Sequence, residues 1–510
     1  MEDQQTPLLA VSRSAFWGVV ACLLGAYVLV RRILAWRRLS HIPGPRAAAW
    51  TNLWLIRKTS QGKVFESLGQ VCEEYGLLAR IAPNYVLCGD PTQVRRMWAP
   101  RSQFRRAPWY KGFQLDPPND CTLSMRDDDV HAVLRAKIAP GYGGKDIEDL
   151  EKIVDAGIAR FVRLIEDKYL STQTEYLPVD FARKVQFMTL DVISKIAFGE
   201  AFGFMDADTD LYGYIKTTED TVPMMQMFAL IPWLIGFLQS PICKAMMPSE
   251  RDTVGLGPIM ATANRVVGQR FTSDAKDRKD MLGSFVRHGL TQREAQSESL
   301  VQIIAGSDTT ATVLRTLIAN AITHPGICSR LQAEIDEAAA AGTVSSPITD
   351  AEARKLPYLQ ACIMEALRIW PPITGIMPRI SDEDAVICGT SIPAGTNIAW
   401  SAHAVMRNKD IFGVDAELYR PSRWIEADAD QIRAMDSTVD LCFGQGKWGC
   451  LGRPIAMLEL NKMVGELFRR FDFTPVDVEK PIRNTFVGVL IQSDMYLKIT
   501  RRDQGSSPQG

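Results

Sequence analysis

Histidine is scarce in this chain of 510 residues: there are 5, and none forms an H-E-x-x-H pair, so a metal site built from imidazoles is not expected. The 10 cysteines include no C-x-x-C pair and no zinc-like spacing, a pattern suited to reduced thiols in a cytosolic environment. Neither sign of charge is in excess. A formal net charge of −1 lacks the dominant basic footprint of a nucleic-acid binder, and no nucleic-acid partner is expected. Internal repeats are absent. A hydrophobic share of 46% and a charged share of 23% describe a globular chain long enough to enclose a cofactor.

Long uncharged runs are also rare, with one exception. Ala15 to Val30 carries no charge and is followed by Arg31, Arg32, Arg37 and Arg38. Counting Ile33, Leu34 and Trp36 with snorkelling arginines, the segment reaches about 20 residues, enough to cross a bilayer. Its charge lies after the apolar core, the reverse of a cleaved signal peptide, and places the C-terminal side in the cytosol. The expected order is a short tail (1–14), a transmembrane anchor (15–36), a basic Pro-Gly-Pro hinge (37–45), a catalytic body (46–500) and a disordered tail (501–510).

The body reads as mainly α with small β-sheets. A helix is expected over Val64 to Tyr75, with strands at Leu77 to Ile81 and Tyr85 to Cys88. Ser102 to Asp129 shows no clear period, and loops this long inside a compact domain are functional or disordered. Helical spacing marks Asp146 to Tyr169, Phe181 to Phe198 and Leu211 to Asp220. The soft apolar run from Val222 to Met247 reads either as core or as a substrate-entrance or bilayer-dipping surface. Further strand-like pieces are Ala385 to Cys388, Ser391-Ile392, Thr396 to Ala399, Val487 to Ile491 and Tyr496 to Ile499.

Thr291 and Glu294 form a capping box opening a helix of about 32 residues, ~48 Å long, that ends at His324-Pro325-Gly326. Its middle holds Ala305-Gly306-Ser307-Asp308-Thr309-Thr310. In the plain reading a threonine bonds back to its own helix and the glycine permits close packing. In the functional one, a locally opened helix presents an acid and a hydroxyl as a small proton relay. Glu365 and Arg368 share one helix face, which alone signifies little. Near the C-terminus lies Phe443-Gly444-Gln445-Gly446-Lys447-Trp448-Gly449-Cys450-Leu451-Gly452, with Pro454 opening a helix. Cys450 there suits a metal ligand or nucleophile, because a helix N-terminus favours thiolate. The same glycines also spell G-x-G-x-x-G, a dinucleotide turn, and a buried inert thiol is the third reading.

Together and in this order, Ala305-Gly306-x-Asp308-Thr309-Thr310, Glu365-x-x-Arg368, Pro421-x-Arg423-Trp424 and Phe443-Gly444-x-Gly446-x-x-x-Cys450-x-Gly452 resemble the cytochrome P-450 superfamily. The resemblance spans nearly the whole chain and leaves the dinucleotide reading without its alternating strands. It implies the fold of the haem-thiolate monooxygenases, with haem b between the long central helix and the cysteine-loop helix. Cys450 is then the axial iron ligand. Phe443 shields the sulfur, and Gly444, Gly446 and Gly452 let the loop lie against the porphyrin. Asp308 and Thr309 match the acid–alcohol pair that delivers protons during oxygen activation. Glu365, Arg368 and Arg423 match a buried structural triad. His131, Arg135 and Arg379 fall where the family places haem-propionate partners. Trp448 departs from the family, which usually has arginine there; Lys447 or the Trp448 indole N–H is expected to compensate.

Ser102 to Tyr110 and Gly141 to Lys145 resemble the fungal pisatin-demethylase-like group, implying an endoplasmic-reticulum enzyme oxidising an apolar terpenoid-like or aromatic natural product. No flavin module is fused within the chain. Electrons are expected from NADPH through the separate NADPH–cytochrome P-450 reductase, docking on a basic face near Lys447, Arg453 and Arg135, with cytochrome b5 as a second donor. Desaturation, ring coupling, demethylation or peroxide rearrangement on the same fold, and a non-enzymatic haem sensor, are the alternatives.

Overall fold

The computed structural model describes residues 13–114, 119–240, 243, 249–274 and 276–502. Its first helix, α1 (Arg13–Arg38), runs to the end of the arginine cluster, two residues past the expected boundary. Phe16–Arg38 has mean hydropathy 1.8, and none of its most apolar stretch is buried against the body, so this helix is long and apolar enough to cross a membrane. Its C-terminal carbonyls are not left free. The buried Arg80 donates to the carbonyls of Ala35 and Trp36 at 3.0 Å, and Trp36 stacks on Trp50 at 5.7 Å. A cation at a helix C-terminus is electrostatically favoured, and here it fastens the apolar helix to the globular body.

The largest sheet uses β1 (Leu78–Ala82), β2 (Tyr85–Cys88), β3 (Arg105–Arg106), β4 (Arg379–Ile380) and, after the separate hairpin β5 (Ala385–Ile387) and β6 (Thr390–Ile392), β7 (Asn397–Trp400). Its order is β1-β2-β7-β4-β3, with β2 and β7 parallel and the other pairs antiparallel. β3 lies inside the aperiodic Ser102 to Asp129 stretch, where two residues are too few to leave an alternating pattern. Small sheets near the C-terminus pair Arg483–Phe486 with Leu490–Ser493, and Tyr496–Arg501 with Phe471–Pro475. The expected strand at Val487 to Ile491 is therefore two strands around a bend at Gly488 (φ +104).

The helical body includes α2 (Leu53–Ser60), α3 (Val64–Tyr75), α4 (Asp128–Tyr142), α5 (Phe181–Phe198), α6 (Tyr214–Ala229), α7 (Pro232–Leu238), α8 (Gln292–Thr323), α9 (Pro357–Ile369) and α10 (Arg453–Arg470). The capping box at Thr291 and Glu294 is present, and α8 has the expected length. Most residues of α8 are buried because α5, α9 and α10 all pack on it. α6 outruns its expected end, passing through Pro223 to Ala229. The helix expected from Asp146 starts at Leu150, after Asp149 turns left-handed (φ 54). At the C-terminus strand structure reaches Arg501; residues 503–510 of the expected tail lie outside the described residues.

Candidate active site

Cys450 sits just before α10, its N–H donating to the Phe443 carbonyl at 2.6 Å and so closing the loop into a hairpin-like turn. Gly446 is required there for two reasons: its φ is +65, and a Cβ would lie 2.7 Å from the Trp98 carbonyl oxygen. Its smallness thus serves packing within the chain. Cys450 is exposed while much of α10 beyond it is buried, yet it is so enclosed by protein that desolvation holds its thiol above the ordinary value. The N–H groups of Gly452 and Arg453 and the charge of Arg135 oppose this without overcoming it. The helix N-terminus does favour thiolate at Cys450, but desolvation outweighs it in the chain alone.

Ala305 is likewise exposed at mid-helix in α8, flanked by partly exposed Ile304, Asp308 and Thr309 along one stripe, although most of the helix is buried. A bare stripe at the heart of the body marks an internal cleft. α8 is regular through this stretch and shows no local opening. The Thr309 hydroxyl donates to the Ala305 carbonyl at 2.8 Å, and a Cβ on Gly306 would meet Ile193 of α5 at 2.9 Å. Both details match the plain reading of the motif. Asp308 has a partner that the sequence reading missed: Arg315, fully buried, binds its carboxylate at 3.0 Å. Arg315 also donates to the Ala182 carbonyl and to Gln186 Oε1, each at 3.2 Å. An arginine two turns along the same face of a buried helix was the available signal; Gln186 gave none.

A third group gathers beside the cysteine loop. His131 of α4 stacks on Trp448 with ring centroids 3.7 Å apart. Arg106 covers the Trp448 ring at 3.9 Å and the Tyr110 ring at 4.4 Å. Arg379 lies over Tyr110 as well and donates to its hydroxyl at 2.7 Å. Four buried atoms in this row have no hydrogen-bond partner within the described residues: Trp448 Nε1, His131 Nδ1, Arg106 Nε and Arg379 Nε. Burial and the charges of Arg106, Arg135 and Lys447 push the His131 imidazole down to about 3, so it is neutral at physiological pH. Desolvation, with the like charges of Arg379 and Arg135, draws the Arg106 guanidinium down to about 10. Unpaired buried donors beside two guanidiniums are costly unless an anion satisfies them. The arrangement fits the carboxylates of a porphyrin.

Two expectations about charge need correction. The Lys447 ammonium is turned to the Asp128 carboxylate and is not part of this row. Arg106, from the stretch noted only for its subgroup resemblance, provides the cation beside Trp448. The basic docking face is also locally balanced, since Arg453 pairs with Asp440 at 2.6 Å and Arg135 donates to the Gly449 carbonyl at 2.7 Å.

Glu365 of α9 accepts from Arg368 at 2.7 and 2.8 Å and from Arg423 at 3.0 Å, with all three side chains buried. The neighbouring Cys442 thiol donates to the Leu367 carbonyl at 3.4 Å, linking the cysteine loop to α9.

Segments far apart in sequence also meet. A Cβ on Gly112 would touch Ala229, one on Gly488 would touch Gln226, and one on Gly375 would lie 3.0 Å from the Gly488 carbonyl. Thr122 joins them to α8 through its N–H and hydroxyl, both 2.6 Å from the Glu298 carboxylate. Burial pushes Glu298 up to about 7.

The chain belongs to the cytochrome P450 family, whose model matches residues 42–499. It is 40% identical over 496 residues to cytochrome P450 monooxygenase ABA1 of Pyricularia oryzae, covering 95% of this chain and 96% of that protein. It is 38% identical over 470 residues to cytochrome P450 monooxygenase aba1 of Botryotinia fuckeliana, covering 91% and 92%. Cytochrome P450 monooxygenase abl1 of Leptosphaeria maculans is 32% identical over 507 residues, covering 94% and 89%. The protein is a fungal haem-thiolate monooxygenase, and haem with a cysteine thiolate and molecular oxygen come with that membership.

Arg106→Gln and Trp448→Phe are each expected to weaken haem retention by about 10- to 100-fold, the scale of a lost charge-assisted hydrogen bond. Transfer of haem from each variant to an excess of an acceptor protein measures this without turnover. Retention equal to wild type in both would remove them from the cradle.

Proposed function

We propose that this monooxygenase is anchored by α1 in the endoplasmic-reticulum membrane, faces the cytosol, and hydroxylates an apolar specialised metabolite with electrons from NADPH through a separate flavoprotein reductase. The observation carrying this reading is the exposed Ala305–Thr309 stripe on an otherwise largely buried α8, in a chain whose exposed thiols among the described residues are Cys22, in α1, and Cys450, in the body. Bound haem supplies the one-electron and oxygen chemistry, in which one atom of O2 enters the substrate and the other leaves as water.

The chain's own task is placement and proton supply. Arg315 and Gln186 hold Asp308 in position, and Asp308 passes protons toward the cleft. Thr309 Oγ1, now engaged with the Ala305 carbonyl, presents them there. His131, Arg106, Arg379 and Trp448 bind the porphyrin carboxylates, while Glu365, Arg368 and Arg423 brace the loop that offers Cys450. Exposed Trp50, Leu53, Met224, Phe228, Trp233 and Phe237 give lipid-facing contacts beside the anchor, because Asn52 ties the α2 entry to the Leu230 carbonyl after α6. Residues 241–242 and 244–247 of the soft apolar run lie outside the described residues.

Thr309→Ala tests the relay. Reconstituted with reductase, the variant is expected to consume NADPH while product per NADPH falls at least ~10-fold and peroxide appears. Unchanged coupling would sink the assignment, and turnover without any reductase would favour peroxide rearrangement.

A further inference from the structure

One end of the Arg106 guanidinium is held by backbone. Its Nη1 donates to the carbonyls of Thr122, Leu123 and Met125 at 2.7, 2.8 and 3.3 Å. The other edge of the fork is left open. Nε is buried without a partner, and Nη2 donates to no described residue. A guanidinium presenting two parallel N–H groups on one edge is built to take a carboxylate bidentately. The placement of residues 122–125 therefore decides where the open edge of Arg106 points.

Those residues belong to a turn that closes on itself. The Met125 N–H donates to the Cys121 carbonyl at 2.9 Å, and the Cys121 N–H donates to the Ser124 hydroxyl at 3.1 Å. From the side opposite Arg106 the turn is gripped by Glu298 of α8. The Thr122 N–H donates to one carboxylate oxygen and the Thr122 hydroxyl to the other, both at 2.6 Å. Glu298 is fully buried, and among the described residues no cation pairs with it. Glu294, one turn back on α8, adds like charge and is itself held by Lys137 of α4 at 3.3 Å. A buried carboxylate held by a single residue is costly to keep. Seven residues before Ala305 and eleven before Thr309, Glu298 also stands on the face of α8 that carries the bare stripe.

We propose that Glu298 is a positioning residue for the haem cradle: by clasping Thr122 it fixes the three carbonyls that hold Arg106 Nη1, and so presents the Nε–Nη2 edge to a porphyrin carboxylate. The inference rests on the reading of Arg106 as part of that cradle. Glu298 acts only through the turn and Arg106. The clasp consists of hydrogen bonds and not of an ion pair, so glutamine can keep it. Its Oε1 accepts from the Thr122 N–H while its Nε2 donates to the Thr122 hydroxyl oxygen.

The test measures haem transfer from the full-length haem-loaded enzyme to an excess of acceptor protein. Glu298→Ala is expected to speed transfer about 10-fold, and Thr122→Val, which removes the hydroxyl alone, about 3-fold. Glu298→Gln should stay within about 2-fold of wild type. In an Arg106→Gln background, Glu298→Ala or Thr122→Val should add less than about 2-fold, because the guanidinium they misplace is gone. A merely structural Glu298 would give effects that multiply with Arg106→Gln. Hydrogen exchange on the loaded enzyme should quicken at residues 119–125 in Glu298→Ala and not in Glu298→Gln. Should Glu298→Ala fail to fold, Thr122→Val alone and combined with Arg106→Gln makes the same comparison. Wild-type transfer in both Glu298→Ala and Thr122→Val, full multiplication with Arg106→Gln, or Glu298→Gln as fast as Glu298→Ala would overturn the inference and leave the cradle standing. Wild-type transfer in Arg106→Gln itself would remove the cradle reading, and the inference with it.

Discussion

Cys450→Ala is expected to abolish the strongly red-shifted Soret band of the reduced carbon-monoxide complex and to lower product formation by on the order of 10³-fold or more, as removal of an essential member of a catalytic unit does. The side chain is exposed, so its loss is expected to leave the apo chain within about 0.5 kcal/mol of wild type. Activity would therefore vanish without unfolding, which circular dichroism on the variant checks. The informative control lies eight residues upstream. Cys442 is in the same loop, but its thiol is committed to the Leu367 carbonyl and pushed well up by burial. Cys442→Ala should keep the red-shifted band. Persistence of the band in Cys450→Ala, or its loss only in Cys442→Ala, would assign the ligand to the wrong sulfur.

Local grammar explains what could be read from the chain beforehand. The capping box at Thr291 and Glu294 and the helical periodicity from Phe181 to Phe198 are signals carried by neighbouring residues, and both elements formed where they placed them. Cys450, Glu365, Arg368 and Arg423 were legible as motifs because their spacing is short or their neighbours distinctive. What stayed hidden depends on contacts between distant segments. Arg106 reaches Trp448 across more than 300 residues, and β3, the strand that delivers it, is two residues long. Arg315 looked like one more charge on a long helix until α5 supplied the Ala182 carbonyl and Gln186 to bury it. Trp448 is the instructive position. Sequence showed that an arginine was missing; only packing shows that a guanidinium from elsewhere sits over the indole that replaced it, with Arg106 Nε and Trp448 Nε1 unpaired among the described residues.

Glu365→Gln is expected to destabilise the protein by about 3–5 kcal/mol, the cost of breaking a buried ion pair from one side. Against a whole-domain stability of about 5–15 kcal/mol, this is enough to deplete the folded, haem-loaded form. The reason is the number of donors aimed at one carboxylate. Besides Arg368 and Arg423, the Arg420 backbone N–H and Trp424 Nε1 donate to it, at 2.8 and 3.2 Å. Arg368 in turn holds the carbonyls of Met406, Ala416 and Leu418, so the defect spreads into the segment leading to the cysteine loop. A glutamine would leave Arg368 buried without a counter-charge and Arg423 with Asp415 alone, at 3.1 Å. Arg420→Ala is the contrasting variant. Its guanidinium is well exposed and pairs with Asp415 and Glu426 at the surface, an arrangement worth at most ~1 kcal/mol. The pH dependence separates charge from shape. Desolvation alone would raise the Glu365 carboxyl, but the hydrogen bonds and charges of Arg368 and Arg423 outweigh it and hold the group below its ordinary value of 4.5. A depressed folded value means that the stabilisation is fully present above the unfolded value and is lost as pH falls through the folded one. The stability gap between wild type and Glu365→Gln, measured by denaturant titration, should therefore stay constant from about pH 8 to pH 6 and narrow only in acid, below the ordinary glutamate range. A gap that is absent at neutral pH, or one that persists undiminished in strong acid, would show that the carboxylate charge is not what braces the loop.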